Sequence, residues 1–284
     1  MFKKTLDNLS VKLEFTKMSG AGNDFVVIDN RSASIQDGTG FARRVCDRHW
    51  GVGADGLLLL EKSFTAQYKM MYYNGDGSFG GMCGNGGRCI AMFAFKKGIA
   101  GTKHEFESLD HIYSAAIEGD DVKLAMKKPS KLKIDQHVVV KKKRITFSSV
   151  NTGSPHIVVD IDQFAKQRLS LRTLDVPFWG KALRDNNKFE PEGTNVNFIQ
   201  RATDGKIYLR TYERGVESET LACGTGSVAS AIVASLKWKI KPPITIIPLS
   251  LVPLIINFYI KGKNISSLSL LGPAIVNFIG ILDA

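Results

Sequence analysis

The sequence contains two copies of the pattern C-G-x-G, each placed after a polar loop and before a stretch of small and apolar residues. The copies are Cys83–Gly86 and Cys223–Gly226. Their cysteines are 223 − 83 = 140 residues apart in a chain of 284 residues. A repeat on this scale is typical of a duplicated unit. We therefore expect two similar halves, each with one cysteine at the start of a helix.

The pattern of apolar residues predicts strands interleaved with a few helices. A basic segment around Lys127–Lys133 is the predicted link between the halves. The main predicted strands are Leu13–Lys17, Leu57–Glu61, Tyr68–Tyr73, Ile145–Val150, His156–Val159, Gly193–Gln200 and Ile207–Tyr212, and the main predicted helices are Phe41–His49, Arg88–Lys97 and the stretch after Cys223.

The charge balance does not point to nucleic acid. The formal charge is +11, from 38 basic and 27 acidic residues, but the basic residues are spread along the chain. The dense run Lys141–Arg144 is predicted to be an exposed strand or hairpin. With 44% hydrophobic and 23% charged residues, the composition is that of a globular protein.

The segment Ile244–Ile260 has no charged residue and approaches the length of a membrane-spanning helix. Pro248 and Pro253 would each remove a hydrogen bond from such a helix, and β-branched residues dominate the segment. We therefore expect two buried strands with a bend between them, and no membrane association.

The four cysteines are Cys46, Cys83, Cys89 and Cys223. They form no CxxC pair, and no set of cysteines and histidines has the spacing of a zinc site, so neither a disulfide framework nor a metal site is indicated. The first ten residues lack the apolar core of a secretion signal, so a reducing cytoplasm is expected. Cys46 and Cys89 are expected to be buried hydrophobic residues.

A cysteine at a helix start lies close to unpaired backbone N–H groups, which stabilise a thiolate. The flanking glycines leave the same amides open to a carboxylate. One such site would fit a nucleophile or a redox sensor. A phosphate-binding glycine loop is the rival interpretation, but neither copy has the Walker spacing or its GK[ST] ending. Two sites indicate that one thiolate removes a proton from a carbon while the opposing thiol protonates its other face. That reaction inverts a stereocentre without an electron-sink cofactor.

Seven segments, two of which contain the C-G-x-G copies, strengthen this interpretation. They are KMSGAGNDFVVID (Lys17–Asp29), DRHWGVGADGLLLLE (Asp47–Glu61), YYNGDGSFGGMCGNGGRC (Tyr72–Cys89), NTGSPH (Asn151–His156), GTNVNF (Gly193–Phe198), YERGVESETLACGTG (Tyr212–Gly226) and GPA (Gly272–Ala274). With these segments in this order, the chain resembles the diaminopimelate epimerase family from about Phe15 onwards.

The resemblance implies interconversion of LL- and meso-diaminopimelate in lysine and peptidoglycan biosynthesis, without pyridoxal phosphate, another cofactor or a metal. Cys83 and Cys223 would be the catalytic residues, with His156 and Glu213 in support. The protein would be cytoplasmic and a homodimer. The expected substrate-binding residues are Asn23, Asn74, Gly84, Asn85, Asn195, Glu213, Arg214, Gly224 and Thr225.

The fold implied by the resemblance is α+β, with two pseudo-symmetric domains. Each would be a curved, barrel-like mixed sheet wrapped around a central helix. The first domain would comprise residues 12–129 and 269–284, because the last strand would return to it. The second would comprise residues 130–268, and the active site would lie between the two.

Two positions depart from the family pattern, since Gly56 and Ser154 stand where some members have a substrate-contacting Gln and Asn. The nearest alternative is a racemase of the same fold that acts on proline, hydroxyproline or histidine. An alternative from another class is a non-catalytic binding or membrane-associated protein, motivated by the +11 charge and the apolar segment.

Overall fold

The computed structural model describes residues 12–167, 169–191, 193–262 and 264–283, so the first ten residues, which are predicted to lack a secretion signal, lie outside the described residues. The helices are α1 (Gly38–Cys46), α2 (Gly84–Lys96), α3 (Val176–Arg184) and α4 (Gly224–Trp238), with short 3₁₀ helices at Ile161–Gln167 and Asn187–Phe189. The strands are β1 (Lys12–Gly20), β2 (Asn23–Asp29), β3 (Gly56–Glu61), β4 (Tyr68–Asn74), β5 (Lys103–Ser108), β6 (His111–Glu118), β7 (Asp121–Ala125), β8 (Ser130–Val140), β9 (Lys143–Asn151), β10 (Pro155–Asp160), β11 (Asn195–Arg201), β12 (Ile207–Glu213), β13 (Ser218–Thr220), β14 (Ile244–Ile247), β15 (Leu254–Lys261), β16 (Asn264–Pro273) and β17 (Ile275–Asp283).

The two halves of the chain repeat the same strand pairing. In the first, β1 to β4 pair in sequence, with β2 and β3 parallel, and β4 then runs parallel to β5 in the β5–β6–β7 meander. In the second, β9 to β12 pair in the same way, and β12 runs parallel to β14 in the β14–β15–β16 meander. This repeat confirms the duplication that the two C-G-x-G copies predict.

The strands that follow each meander pair with the other half. β17 pairs with β1, so the last strand returns to the first half as expected, while β8 pairs with β9. β16 joins both halves, because it pairs with β7 as well as with β15. Division into domains 12–129 plus 269–284 and 130–268 stays a prediction.

The helices α2 and α4 are the centres of the two halves. Every residue from Gly84 to Ala94 of α2 and from Gly226 to Ser235 of α4 is buried. A helix buried on all sides must be enclosed by other elements, and here the curved mixed sheet surrounds each one. Smaller cores lie on the outer face of the sheet, beneath α1 and α3. The α+β class and its wrapped helices are confirmed.

Two helices have boundaries other than those predicted. α1 begins at Gly38 because the Asp37 carboxylate caps it by accepting from the N–H of Gly40 at 2.9 Å, and it ends at Cys46. Asp47 then accepts from two backbone N–H groups and forms a turn. α2 begins four residues before the predicted Arg88, because Cys83 is its N-cap.

The apolar segment forms β14 and β15 with a bend between them, as predicted. Its buried residues Ile244, Ile246, Leu254 and Ile256 belong to the core around α4. Among the described residues, the helices are too short or too polar to span a membrane. The basic run is exposed at the tip of the β8–β9 hairpin, also as predicted.

Candidate active site

A cavity of about 650 Å³ lies where the N-termini of α2 and α4 meet. It is lined by residues from both halves of the chain. Of the residues predicted for the site, His156 is outside the lining, and the others are all part of it: Asn23, Asn74, Cys83, Gly84, Asn85, Asn195, Glu213, Arg214, Cys223, Gly224 and Thr225.

The two cysteines occupy equivalent positions. Each is the N-cap of its helix, and its Sγ accepts a hydrogen bond from the N–H three residues on, at 3.5 Å for Cys83 and 3.4 Å for Cys223. The first residues of the helices also meet, since a Cβ placed on Gly84 would lie 3.6 Å from the Cα of Gly224. N–H groups in a first helical turn lack intrahelical acceptors. Two positive helix ends therefore face one cavity, which favours a bound carboxylate.

The thiols are less acidic than helix starts alone would make them. Burial raises the pKa of both Cys83 and Cys223, and the charge of Glu213 acts in the same direction. The backbone N–H bonds to sulfur lower both pKa values, which is the effect expected from the sequence, but burial outweighs them. Both thiols are thus largely protonated at neutral pH before substrate binds.

Glu213 lies against Cys223. Its carboxylate accepts a hydrogen bond from the Thr220 hydroxyl at 2.5 Å. Burial raises the pKa of Glu213, while the Thr220 hydroxyl and the nearby Cys223 thiol lower it. A carboxylate with a raised pKa close to a thiol can accept that thiol's proton. The geometry thus suits the predicted supporting role.

His156 is buried behind the cavity wall. Asn197 donates to its Nδ1 at 3.1 Å and to the backbone oxygen of Ile157, so Nδ1 is the acceptor and Nε2 carries the hydrogen. Nε2 lies 2.9 Å from Ser154 Oγ and 3.0 Å from Thr225 Oγ1, which is 3.5 Å from the sulfur of Cys223. His156 therefore reaches the thiol only through Thr225.

The surroundings of His156 predict how stability depends on pH. Burial, with the nearby charge of Arg214, lowers its pKa from 6.5 to about 3. Between these values the unfolded chain binds a proton that the folded protein does not, so the free energy of unfolding falls as the pH drops below 6.5. The contribution is up to about 1.4 kcal/mol per pH unit. Urea unfolding between pH 7 and pH 5 should show a shallower dependence for His156→Gln than for the wild type. An identical dependence would contradict the assignment.

Hydrogen bonds fix the orientation of the asparagines. Asn23 donates to Asp55 at 2.6 Å, which turns its carbonyl oxygen toward the Cys83 thiol at 3.7 Å. Asn195 donates to the backbone of Pro155 and accepts from the backbone N–H of Arg214 at 2.9 Å. Asn195 therefore fixes the backbone at Arg214, which is part of the cavity lining.

The position of Tyr72 explains why residue 56 is glycine, where some members of the family have a glutamine. A Cβ at Gly56 would lie 2.5 Å from the Tyr72 ring, and one at Gly80 would lie 2.3 Å from it, so the ring fits between two glycines. The Tyr72 hydroxyl donates to the side-chain oxygen of Asn74 at 2.7 Å. The aromatic ring thus fills the space beside position 56 and lines the cavity there.

Gly226 has no room for a side chain. A Cβ there would lie 2.4 Å from Asn197 Oδ1 and 3.2 Å from the sulfur of Cys223. Gly226→Ala should displace Asn197 and with it His156, lowering the free energy of unfolding by about 1–3 kcal/mol. We expect kcat to fall about 10-fold or more, because small displacements of reacting groups are costly.

The equivalent residue of the first copy provides a matched control. At Gly86 the nearest atom to an added Cβ is a methyl group of Leu58, at 3.2 Å, and leucine side chains can shift. Gly86→Ala should therefore be the milder change in both melting temperature and kcat. If the two alanine variants lose activity equally, displacement of Asn197 is not the cause.

Sequence reasoning missed several residues of the site. Asp55 and Tyr72 line the cavity, and Asn197 lies behind it. The sequence could have indicated Asn197, because Asn195 and Asn197 are two positions apart on an otherwise apolar strand and so face the same side.

Among the described residues, no group of three His, Cys, Asp or Glu side chains is suited to hold a metal ion.

Comparison with known proteins agrees with this geometry. The family model for diaminopimelate epimerase matches residues 15–132 and 148–250. The diaminopimelate epimerase of Aquifex aeolicus is 42% identical over 241 residues, covering 81% of this chain and 84% of its own. That of Chlorobaculum tepidum is 44% identical over 220 residues, covering 76% and 81%. The solved hydroxyproline epimerase of Agrobacterium vitis has a TM-score of 0.71 at 15% identity, covers 96% of this chain and 93% of its own, and shares the fold.

The fold and these relatives define an isomerase of the epimerase class. Within that class, the chain belongs to the diaminopimelate epimerase family, because the family model matches well over half of its length. The resemblance inferred from the sequence is thereby confirmed. The roles of individual residues stay predictions.

Proposed function

We propose that this protein interconverts LL- and meso-diaminopimelate by a two-base mechanism, as a step in lysine and peptidoglycan biosynthesis. The observation that carries the proposal is the position of Cys83 and Cys223. They cap two helices whose first residues meet, and both line one cavity. Thiols that approach a carbon from opposite sides are the arrangement that stereochemical inversion requires.

In the proposed reaction, one cysteine acts as thiolate and removes the Cα proton, while the other, as thiol, delivers a proton to the opposite face. The product leaves with inverted Cα, and the two sulfurs have exchanged protonation states. Negative charge developing on the substrate carboxylate is stabilised by the N–H groups of Gly84, Asn85, Gly224 and Thr225. The proposal includes no cofactor.

Two residues support proton transfer at Cys223 in this proposal. Glu213 lies near the thiol and can take its proton when a thiolate is needed. His156, through Thr225, orients a hydroxyl that can donate to the sulfur. Because His156 lies behind the cavity wall, it acts by positioning rather than by contact with substrate.

The far end of the substrate is assigned to Arg214, with Asn23, Asn74 and Asn195 ordering that side of the cavity. A guanidinium binds a carboxylate through two parallel hydrogen bonds. A distant second carboxylate is present in diaminopimelate and absent from proline, hydroxyproline and histidine. This feature favours diaminopimelate over those substrates.

A homodimer and a cytoplasmic location are further parts of the proposal. β17 presents the exposed apolar residues Ile275, Phe278, Ile279 and Ile281. A patch of this kind fits contact with another protein surface, and a second copy of the chain is the partner we propose. The expected location rests on the sequence features described above.

The proposal is tested by substrate selectivity. The purified, reduced protein should convert LL-diaminopimelate to the meso isomer when no cofactor is added, and should leave L-proline, hydroxyproline and L-histidine unchanged. Chiral chromatography of the reaction mixtures measures both. Faster inversion of one of the monocarboxylic amino acids would assign the protein to the alternative racemase.

A further inference from the structure

Arg88 is a fully buried cation near the catalytic cysteines. It lies on the second turn of α2 with no exposed surface. Within the described residues, its hydrogen bonds go to the oxygens of Gly84, Asn85 and Pro273, and none of these acceptors is charged. Burying a charge without a charged partner costs several kcal/mol, so its retention calls for a functional explanation.

The hydrogen bonds of Arg88 connect the two cysteine loops. Its Nη1 donates to the backbone oxygen of Gly84, the residue after Cys83, at 3.2 Å. Its Nη2 donates to Asn85 Oδ1 at 3.0 Å. Asn85 in turn donates to the backbone oxygen of Ala222, the residue before Cys223, at 3.0 Å. Arg88 thus determines which way the Asn85 amide faces, and that amide spans the junction between the loops.

The second copy of the repeat lacks this arrangement. The residue five positions after Cys223 is Val228, which is also fully buried, and Thr225 stands where the first copy has Asn85. A helix capped by C-G-x-G can therefore pack at the centre of its half without a buried arginine. The cation belongs to one side of the site and is not required by the repeated fold.

Resting on the function proposed above, we propose that Arg88 is a positioning residue for the epimerisation. It holds the Asn85 bridge between the two cysteine loops, and its buried charge favours the thiolate form of Cys83. The site is thereby asymmetric, with a buried cation five residues after the first cysteine and Val228 at the equivalent position after the second.

The electrostatics of the thiols agree with this asymmetry. The charge of Glu213 acts to raise the pKa of both thiols, whereas the charge of Arg88 acts to lower the pKa of Cys83. No fully buried cation occupies the equivalent place near Cys223 within the described residues. The two cysteines therefore differ in charge environment despite their matched backbone geometry.

Two substitutions separate the charge from the hydrogen bonds. Arg88→Met removes both while keeping an unbranched side chain that suits a buried position. Arg88→Lys keeps the charge but cannot reproduce the fork that holds two oxygens. Val228→Ala is the control, because it alters a buried residue at the equivalent position of the other copy. The full-length protein is used throughout, and melting temperatures establish that each variant is folded.

The first measurement is the rate of alkylation of Cys83 by iodoacetamide against pH, localised by mass spectrometry and made without substrate. In Arg88→Met the midpoint should rise by about one pH unit, while in Arg88→Lys and Val228→Ala it should stay near the wild-type value. The second is turnover of LL-diaminopimelate. Both Arg88 variants should lose about tenfold or more in kcat with little change in KM, because the bridge positions the bases.

A folded Arg88→Met protein with wild-type kcat and a wild-type alkylation midpoint would overturn the proposal. If that variant does not fold, the Arg88→Lys variant tests the proposal instead. A wild-type kcat in Arg88→Lys would show that the forked hydrogen bonds are dispensable. Failure of the wild type to turn over diaminopimelate would refute the proposed function instead. The alkylation profiles would still test the effect of Arg88 on Cys83.

Discussion

Replacing either Cys83 or Cys223 with alanine should abolish epimerisation, with kcat for LL-diaminopimelate falling at least about 10³-fold. Each thiol is the only acid or base that the proposed mechanism has on its face of the substrate carbon. Because the cavity and both helix starts remain, substrate binding should change much less than kcat. Chiral chromatography of the reaction mixture measures the loss.

The single variants should still differ from each other. A remaining thiolate can remove the Cα proton from the isomer that faces it and return a solvent-derived proton to the same face. Each variant should therefore exchange the Cα hydrogen of one stereoisomer, and the two variants should favour opposite isomers. Cys46→Ala is the control, because Cys46 is buried in the core beneath α1. Inversion at wild-type rate by either active-site variant would contradict the two-base mechanism.

Arg214→Met should produce the second large effect, a fall of about 10²–10³-fold in kcat/KM for diaminopimelate. Arg214 is part of the cavity lining, and its backbone N–H is fixed by Asn195. Loss of two charge-assisted hydrogen bonds to a carboxylate accounts for a change of this size. Most of it should appear in KM, since this end of the substrate does not react.

Arg214→Lys should recover only part of the loss, because an ammonium group cannot match the two-point geometry. Arg201→Met, at the exposed end of β11, is the control for removing a positive charge. Steady-state kinetics on LL-diaminopimelate measure all three variants. Unchanged kinetics in Arg214→Met would remove the argument for a second substrate carboxylate and revive the alternative racemase.

The sequence was informative wherever one local pattern determines a feature. The repeated C-G-x-G predicted two equivalent helix starts, and the structure confirms them as N-caps facing one cavity. Proline and β-branched residues predicted strands for the apolar segment that includes Ile244 and Leu254. The curvature of the sheet around each helix followed only from the resemblance, because strand periodicity carries no information about which strands pair across the halves.

Features that depend on contacts between distant residues could not be predicted. The fit of the Tyr72 ring between Gly56 and Gly80 joins three segments of the chain. The bridge from Arg88 through Asn85 to Ala222 joins residues more than 130 positions apart. Thiol acidity was misjudged for a related reason, since the helix N-terminus is local but the burial that outweighs it comes from the whole fold.

In the two-base mechanism, one group removes the proton from one face of the carbon and a different group protonates the other face. Reaction in deuterium oxide tests this directly. LL-diaminopimelate is incubated with the reduced, cofactor-free protein, and the reaction is stopped at low conversion. The meso product should carry solvent deuterium at the inverted Cα, while recovered LL-substrate should remain protiated. Meso product that retains the substrate's own proton would show a single base acting on both faces and would contradict the two-base mechanism.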